Sequence, residues 1–210
     1  KLREQKSLGD RDMLELSTGS GKMKGMCSLN TDTTSNEFCK KMSKTDSICG
    51  SCYSWRLMKF RTNVVPRFRE NSRLLSTRYL NAQDFPRPRG LEIRYNSHGE
   101  LINEVHFANL VTYAELYPQV TFTLFTKRKD IVKRYFDIGN EIPKNLIMIY
   151  SNPTIGVVKE KVPKYFHKVF NVVDKKYSRP EQVNCFGGCA DCLKCYNTSD
   201  TTEQIVEYIK

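Results

Sequence analysis

Eight cysteines lie in two groups near opposite ends of this 210-residue chain, and they restrict its fold more than any other feature. The first group consists of Cys27, Cys39, Cys49 and Cys52. The second group consists of Cys185, Cys189, Cys192 and Cys195. No cysteine occurs between the two groups, so the long region between them has to form its own hydrophobic core. Cysteines two or three residues apart can converge on one metal centre, and we expect all eight to be metal ligands.

Three kinds of thiol site compete at this stage. Disulfides are disfavoured, because no export segment is evident and the chain is long enough to fold without cross-links. Zinc stays open, because Cys49-x2-Cys52 supplies one zinc knuckle and a Cys-x2-Cys pair in the second group supplies another. Iron–sulfur is favoured, because the run from Cys189 to Cys195 has the ferredoxin-like spacing Cys-x2-Cys-x2-Cys. Cys185 or a cysteine of the first group would then be the remote ligand.

Composition limits the class of protein and its partners. A chain of 210 residues with 39% hydrophobic residues is predicted to form a single domain with a sizeable core. No apolar run has the length that a membrane span needs, so no membrane contact is expected. The formal net charge of +11 favours an anionic partner such as nucleic acid.

The first part of the domain is predicted to be irregular and then helical. Residues 1–52 form a Cys-rich segment, irregular as far as residue 48, and residues 53–178 carry the helices and the βα core. Helices are expected over 51–63 and 66–81, with Tyr79 facing inward. Tyr53, Trp55 and Phe60 are expected to pack in the core, and the alternative is a platform on which bases stack. Residues 179–210 are predicted to form a second Cys-rich segment followed by a helix.

Strands and helices alternate in the second half. Strands are predicted over 91–95, 120–126, 145–150 and 168–173, with helices over 104–117 and 129–138. This order indicates an α/β fold with a parallel sheet, arranged as a partial (βα) barrel whose Cys-rich ends hold metal. Ligands bind at the carboxyl ends of such strands, where the polar runs Ser97–Glu100 and Thr126–Arg128 are found.

These residues resemble the radical S-adenosylmethionine superfamily. The resemblance lies in a cluster-type cysteine motif near the N-terminus, in Ser97-His98-Gly99-Glu100 at an early strand end, and in Thr126-Lys127 at the next. It implies that Cys39, Cys49 and Cys52 bind a [4Fe–4S] cluster. It also implies that the segment of Ser97, His98, Gly99 and Glu100 binds the methionine amino group of S-adenosylmethionine, mainly through Glu100, and that Lys127 or Arg128 binds its carboxylate.

The chain more closely resembles a family of bacteriophage gene products, over most of residues 23–196. That family has a Cys-rich start, a Cys-Tyr-Ser step as at Cys52–Ser54, and a Cys-rich tail. The spacing Cys39-x9-Cys49-x2-Cys52 departs from the Cys-x3-Cys-x2-Cys of radical enzymes, and that compact spacing occurs instead at Cys185–Cys192.

Several alternatives therefore stay open at the level of function. The chain is expected to hold one or two [4Fe–4S] clusters, with S-adenosylmethionine bound only if one iron is not ligated by protein. It is then either an enzyme of radical chemistry or an electron-transfer protein with a host redox partner. The alternative is a basic, zinc-stabilised nucleic-acid-binding protein. Reduced thiols and the phage resemblance indicate the cytoplasm of the host cell.

Overall fold

A computed structural model describes residues 13–209, which form an α/β fold with a seven-stranded, mostly parallel sheet. The strands are β1 (Leu16–Thr18), β2 (Cys27–Leu29), β3 (Glu92–Tyr95), β4 (Thr121–Thr126), β5 (Leu146–Ile155), β6 (Lys168–Val173) and β7 (Gln204–Tyr208). The α-helices are α1 (Glu37–Met42), α2 (Tyr53–Phe60), α3 (Val65–Thr77), α4 (Glu104–Leu116), α5 (Lys129–Asp137) and α6 (Cys189–Cys192). The predicted α/β class and parallel sheet are confirmed.

The strands neighbour one another in the order in which they occur in the chain. β1 is antiparallel to β2, and every later neighbour is paired in parallel. Right-handed crossovers that always advance in the same direction place their helices on the same face of a sheet. Accordingly, α3 packs on α4 and α4 packs on α5. In the described part of the chain, β1 and β7 are the two edges of the sheet. Because α3, α4 and α5 pack on one another on one face, the opposite face is available for a site.

Side-chain alternation assigns the two faces of the sheet. In β3, Ile93 and Tyr95 are fully buried in the main core beneath the helices, while Arg94 between them points to the opposite face. In β4, Phe122 and Leu124 join the same core. The opposite face thus carries a positive charge at its centre.

α3 ends four residues earlier than predicted, and the amide of Asn109 explains why. Its Nδ2 donates to the carbonyls of Leu75 and Arg78, and its Oδ1 accepts from the backbone N–H of Leu80. These bonds satisfy backbone groups that a longer helix would have used. The chain therefore leaves the helix at Thr77, and Tyr79, predicted to face inward, is 71% exposed.

α2 is shorter than predicted, and the side of the helix that faces the core is not the side that was predicted to do so. Ser54 and Met58 are its buried residues. Tyr53 and Phe60, expected in the core, are 55% and 82% exposed. Trp55 is half-buried. The expected core packing of Tyr53 and Phe60 is therefore wrong, because the face that carries Ser54 and Met58 is the one covered by the rest of the protein.

Both Cys-rich ends differ from their predictions. The N-terminal segment, expected to be irregular, contributes β1, β2 and α1; its residues 1–12 lie outside the described range. The predicted C-terminal helix is wrong, because residues 204–208 form the strand β7. The backbone of β7 pairs with β6, and the side chains of Ile205 and Val206 are buried. No helix within residues 13–209 has the length and apolar character needed to cross a lipid bilayer.

Candidate metal and cofactor site

A cavity of about 660 Å³ lies on the face of the sheet opposite α4 and α5. It extends to the carboxyl ends of the parallel strands, where Glu100, Lys127 and Ser151 line it. Cysteines from both ends of the chain reach this one cavity. They are Cys39, Cys49, Cys52 and Cys189.

The three thiols Cys39, Cys49 and Cys52 come from α1 and from the loop before α2. Asn36 caps α1 by accepting from the N–H of Cys39, and Ile48 donates its N–H to the carbonyl of Pro153 in β5. The bond to Pro153, together with a bond from the Asn36 Nδ2 to the carbonyl of Glu100, holds this segment at the carboxyl edge of the sheet. Burial raises the pKa of Cys39 and of Cys49, and nearby Lys127 opposes that shift.

Cys27 does not join these thiols. It lies in β2, where Ser28 lines the cavity and Cys27 points the other way. The side chain of Cys27 is 6% exposed and packs in the main hydrophobic core with Leu29. The structure therefore places Cys27 across the sheet from the other predicted metal ligands, as expected for a small apolar residue.

Glu100 is buried and held by protein donors. Its Oε1 accepts from the N–H of Leu101 at 2.8 Å and from the hydroxyl of Thr126 at 2.5 Å. Its Oε2 accepts from the N–H of Lys127 at 2.9 Å. A carboxylate has about four acceptor positions, so one position is left for a ligand. Glu100 thus ties the ends of β3 and β4 together at the edge of the cavity.

Lys127 and Arg128 take different positions. The Lys127 ammonium lies in the cavity, 3.3 Å from the hydroxyl of Ser151. Burial lowers the pKa of Lys127, but Glu100 and the thiols outweigh burial, so its pKa is raised. The Arg128 guanidinium is bound to Asp130 and to the carbonyls of Leu101 and Ile102. Of the two predicted cations, only Lys127 lines this cavity.

The segment from Ser97 to Gly99 is fixed by α2 and α3. The imidazole Nδ1 of His98 lies 2.9 Å from the hydroxyl of Ser54, and its ring stacks on Phe68 at 5.6 Å. Burial lowers the pKa of His98 to about 4, with Arg94 adding to the shift. The Tyr53 hydroxyl donates to the carbonyl of Ser97.

Two polar groups next to this segment have no partner within residues 13–209. They are the buried amide Nδ2 of Asn96 and the buried hydroxyl of Ser97, and both residues line the cavity. Buried polar groups are normally hydrogen-bonded. This edge of the cavity therefore has the unmet hydrogen-bonding capacity expected where a polar ligand binds.

The second group of thiols lies on the same face of the sheet. Cys195 packs against Phe125 and Ile149, and its carbonyl accepts from the hydroxyl of Thr123 at 2.8 Å. Cys185 accepts from the ammonium of Lys22 at 2.9 Å. Burial raises the pKa of Cys195 to about 12 and also raises that of Cys189. Cys192 is exposed.

Arg94 is a site residue that the sequence analysis missed. Its guanidinium lies 3.9 Å from the centre of the Phe125 ring and counters the rise in pKa of Cys189 and Cys195. Its Nε is buried without a hydrogen-bond partner among the described residues. One signal was available: an arginine between two apolar residues of a short strand has to face a polar or charged environment.

Comparison with known families adds one finding. A family model described as gene product 88 matches residues 5–198. The chain belongs to the gene product 88 family. This match supports the expected likeness to phage-type gene products and carries no statement about a cofactor or an activity. No curated protein and no solved structure matches this gene product 88 chain.

The donor atoms of this gene product 88 chain fit thiophilic metals better than oxygen-seeking ones, because sulfur predominates. Lys127 and Arg94 place a positive charge beside each thiol group, which favours thiolate and an anionic cluster. Within residues 13–209, no three Cys, His, Asp or Glu side chains stand close enough together to hold one metal ion. The thiols therefore lie around a shared cavity without forming a closed coordination shell for a single ion.

Proposed function

We propose that this protein is an iron–sulfur protein in which Cys39, Cys49 and Cys52 bind a [4Fe–4S] cluster beside a site for S-adenosylmethionine. The observation that carries the proposal is that these three thiols line one cavity with Lys127 and Glu100. In a [4Fe–4S] cluster each thiolate binds a different iron, so its ligands surround a body larger than one ion. Consecutive strand order with helices on one face is also the arrangement that a partial (βα) barrel requires.

The protein's own contribution would be to bind and orient the cofactor. When bound, a reduced cluster supplies one electron to the sulfonium of S-adenosylmethionine. Glu100 has one acceptor position left for the ammonium group of the cofactor, and Lys127 offers its charge to the carboxylate. Asn96 and Ser97 offer unpaired polar groups beside them. These roles agree with the resemblance. Arg128 is not proposed as a ligand of the carboxylate, because its guanidinium is bound to Leu101 and Asp130.

The second thiol group, Cys185, Cys189, Cys192 and Cys195, is proposed to hold a second cluster that serves electron transfer. Its support is the proximity of Cys185, Cys189 and Cys195 on the same face, beside the guanidinium of Arg94. An electron from a host redox protein would then reach the cavity through this group. Reduced thiols and metal ligation indicate the host cytoplasm as the place of action.

The deciding experiment measures iron and sulfide in anaerobically purified protein, with absorption and EPR spectra before and after S-adenosylmethionine is added. The proposal expects about four iron and four sulfide atoms per chain for one four-iron cluster, or about eight of each for two clusters. It also expects an EPR spectrum that changes with the cofactor. Iron without that change would leave an electron-transfer protein. Zinc without iron would replace the proposal by the zinc-stabilised module.

Cysteine variants test the ligand assignment. Cys49→Ala is expected to lose the cofactor-dependent EPR signal and its share of the iron, because it removes one of three ligands. Cys192→Ala is expected to lose iron from the second group. Cys27→Ala is the matched control, because it removes a thiol from the opposite face of the sheet and should retain full iron content. Equal iron in all three variants would contradict the assignment.

A further inference from the structure

Helix α2 presents an exposed face of unusual composition above the cavity. Tyr53, Arg56, Leu57 and Phe60 follow the spacing i, i+3, i+4, i+7 and so share one side of the helix. Phe60 is 82% exposed and Tyr53 is 55% exposed, although aromatic rings normally seek the core. Tyr53, Arg56 and Leu57 line the cavity itself. This face, here called the α2 face, is thus continuous with the cavity wall.

The stretch of chain around the α2 face is rich in positive charge. Between Asp46 and Glu70 the chain has five Lys or Arg residues and no Asp or Glu. The α3 arginines Arg67 and Arg69 are paired with Glu15 and Asp32. Arg56, Lys59 and Arg61 are exposed and make no ion pair in the part of the chain that the structure describes.

The cavity beneath shares this bias. Its two carboxylates are both engaged: Glu100 accepts three protein hydrogen bonds and Glu207 is paired with Lys22. Arg61 and Arg94 line the same cavity with no carboxylate partner among residues 13–209. Cavities lined by one sign of charge concentrate ligands of the opposite sign. The excess of positive charge at this mouth therefore favours an anionic occupant.

We propose that the α2 face binds single-stranded nucleic acid at the mouth of the cavity. Unpaired bases can stack on Phe60 and on the free surface of Tyr53, while Arg56, Lys59 and Arg61 contact phosphates. A duplex hides its base faces and cannot use these rings. This inference goes beyond the proposed function and does not depend on it, because strand binding needs no cluster. Where both hold, the strand is the substrate brought to the cavity.

The test is fluorescence anisotropy of a labelled oligothymidylate titrated with the anaerobically purified full chain at several salt concentrations. Phe60→Ala is expected to weaken binding by about 5- to 150-fold, the loss of one stacked base. Arg56→Gln should weaken binding and reduce the salt slope by about 0.7, the loss of one phosphate contact on a single strand. Both residues are exposed, so unchanged thermal unfolding should accompany both effects.

Arg73→Gln is the matched control for charge. It removes one positive charge from an arginine on α3 that is ion-paired with Glu70. Affinity and salt slope should stay as in the parent protein. Equal losses in Arg56→Gln and Arg73→Gln would overturn the proposal in favour of diffuse attraction.

Three further outcomes would also overturn it. They are absence of binding, equal affinity for a duplex of the same length, and full displacement by thymidine monophosphate at matched nucleotide concentration. The last would mean that the mouth binds single nucleotides and not a strand. Iron analysis of the same sample judges the proposed function separately, so the failure of one proposal can be told from the failure of the other.

Discussion

At the scale of single residues, Gly99 has neither the backbone conformation nor the space for a side chain. Its φ is +90°, a conformation that L-residues rarely adopt. A Cβ built there would lie 2.0 Å from the Thr31 hydroxyl and 2.7 Å from the Thr31 carbonyl oxygen. Gly99→Ala should therefore lower the free energy of unfolding by about 3 kcal/mol, through backbone strain and steric overlap together. Urea unfolding measures this loss.

Gly139→Ala separates the two causes. Gly139 has a φ of +100°, but a Cβ there meets no atom within 4 Å. This variant should lose only the backbone contribution, about 1 kcal/mol. If the two variants lose the same unfolding free energy, the close packing of Gly99 on Thr31 does not add to the cost of the substitution.

At the scale of elements, Lys168 fastens the last strand to the sheet. Its side chain is 4% exposed, and its ammonium donates to the Asp200 carboxylate at 2.7 Å and to the carbonyls of Asp200 and Thr202. All three donors are thus used in the turn that leads into β7. Lys168→Met would leave a carboxylate and two carbonyls without their partner, and we expect a loss of about 3 kcal/mol in unfolding free energy.

The control for this prediction is Lys133→Met on α5. Lys133 is paired with Asp137 but is 67% exposed, and exposed pairs contribute at most about 1 kcal/mol. Both variants remove one charge and add one thioether. A loss as small in Lys168→Met as in Lys133→Met would show that β7 is held by its strand pairing alone.

The elements also show what sequence patterns can and cannot predict. The predicted strands over 91–95 and 120–126 are confirmed as β3 and β4, because buried parallel strands carry long apolar or alternating runs. β1 and β2 were not predicted, because strands of three residues are too short to show a pattern and depend on pairing with other strands. The same limit applies to the site: spacing pointed to the cysteines, whereas Arg94 and Lys22 reach them only through the tertiary fold.

At the scale of the whole molecule, burial lowers the pKa of all three histidines. Burial lowers the pKa of His98 to about 4 and that of His106 to about 3, and also lowers that of His167. Unfolded histidine titrates near 6.5, so below that pH the unfolded chain binds protons that the folded chain excludes. Stability should fall as pH drops from 6.5 to 5, by about 3 kcal/mol from His98 and His106 together.

Chemical unfolding at pH 7.5, 6.5 and 5 checks this dependence (about 1.4 kcal/mol per pH unit for each proton). His98→Asn should remove close to half of the expected change, because one of the two titrations disappears. Acid-dependent loss of a metal affects both proteins alike, so the difference between their slopes isolates the histidine. Parallel slopes would mean that His98 takes up its proton as readily in the folded protein as in the unfolded chain.

The consecutive order of the strands has a consequence for synthesis. The contacts that position Cys39, Cys49 and Cys52 involve residues no later than Pro153, through the bond from Ile48. Those of the second group depend on β7, where Lys22 meets Glu207 beside Cys185. Domains begin to fold as they leave the ribosome, from the N-terminus onward. We therefore expect the first thiol group to be arranged before β7 has been synthesised, and the second only afterwards, so that cluster insertion proceeds in two stages.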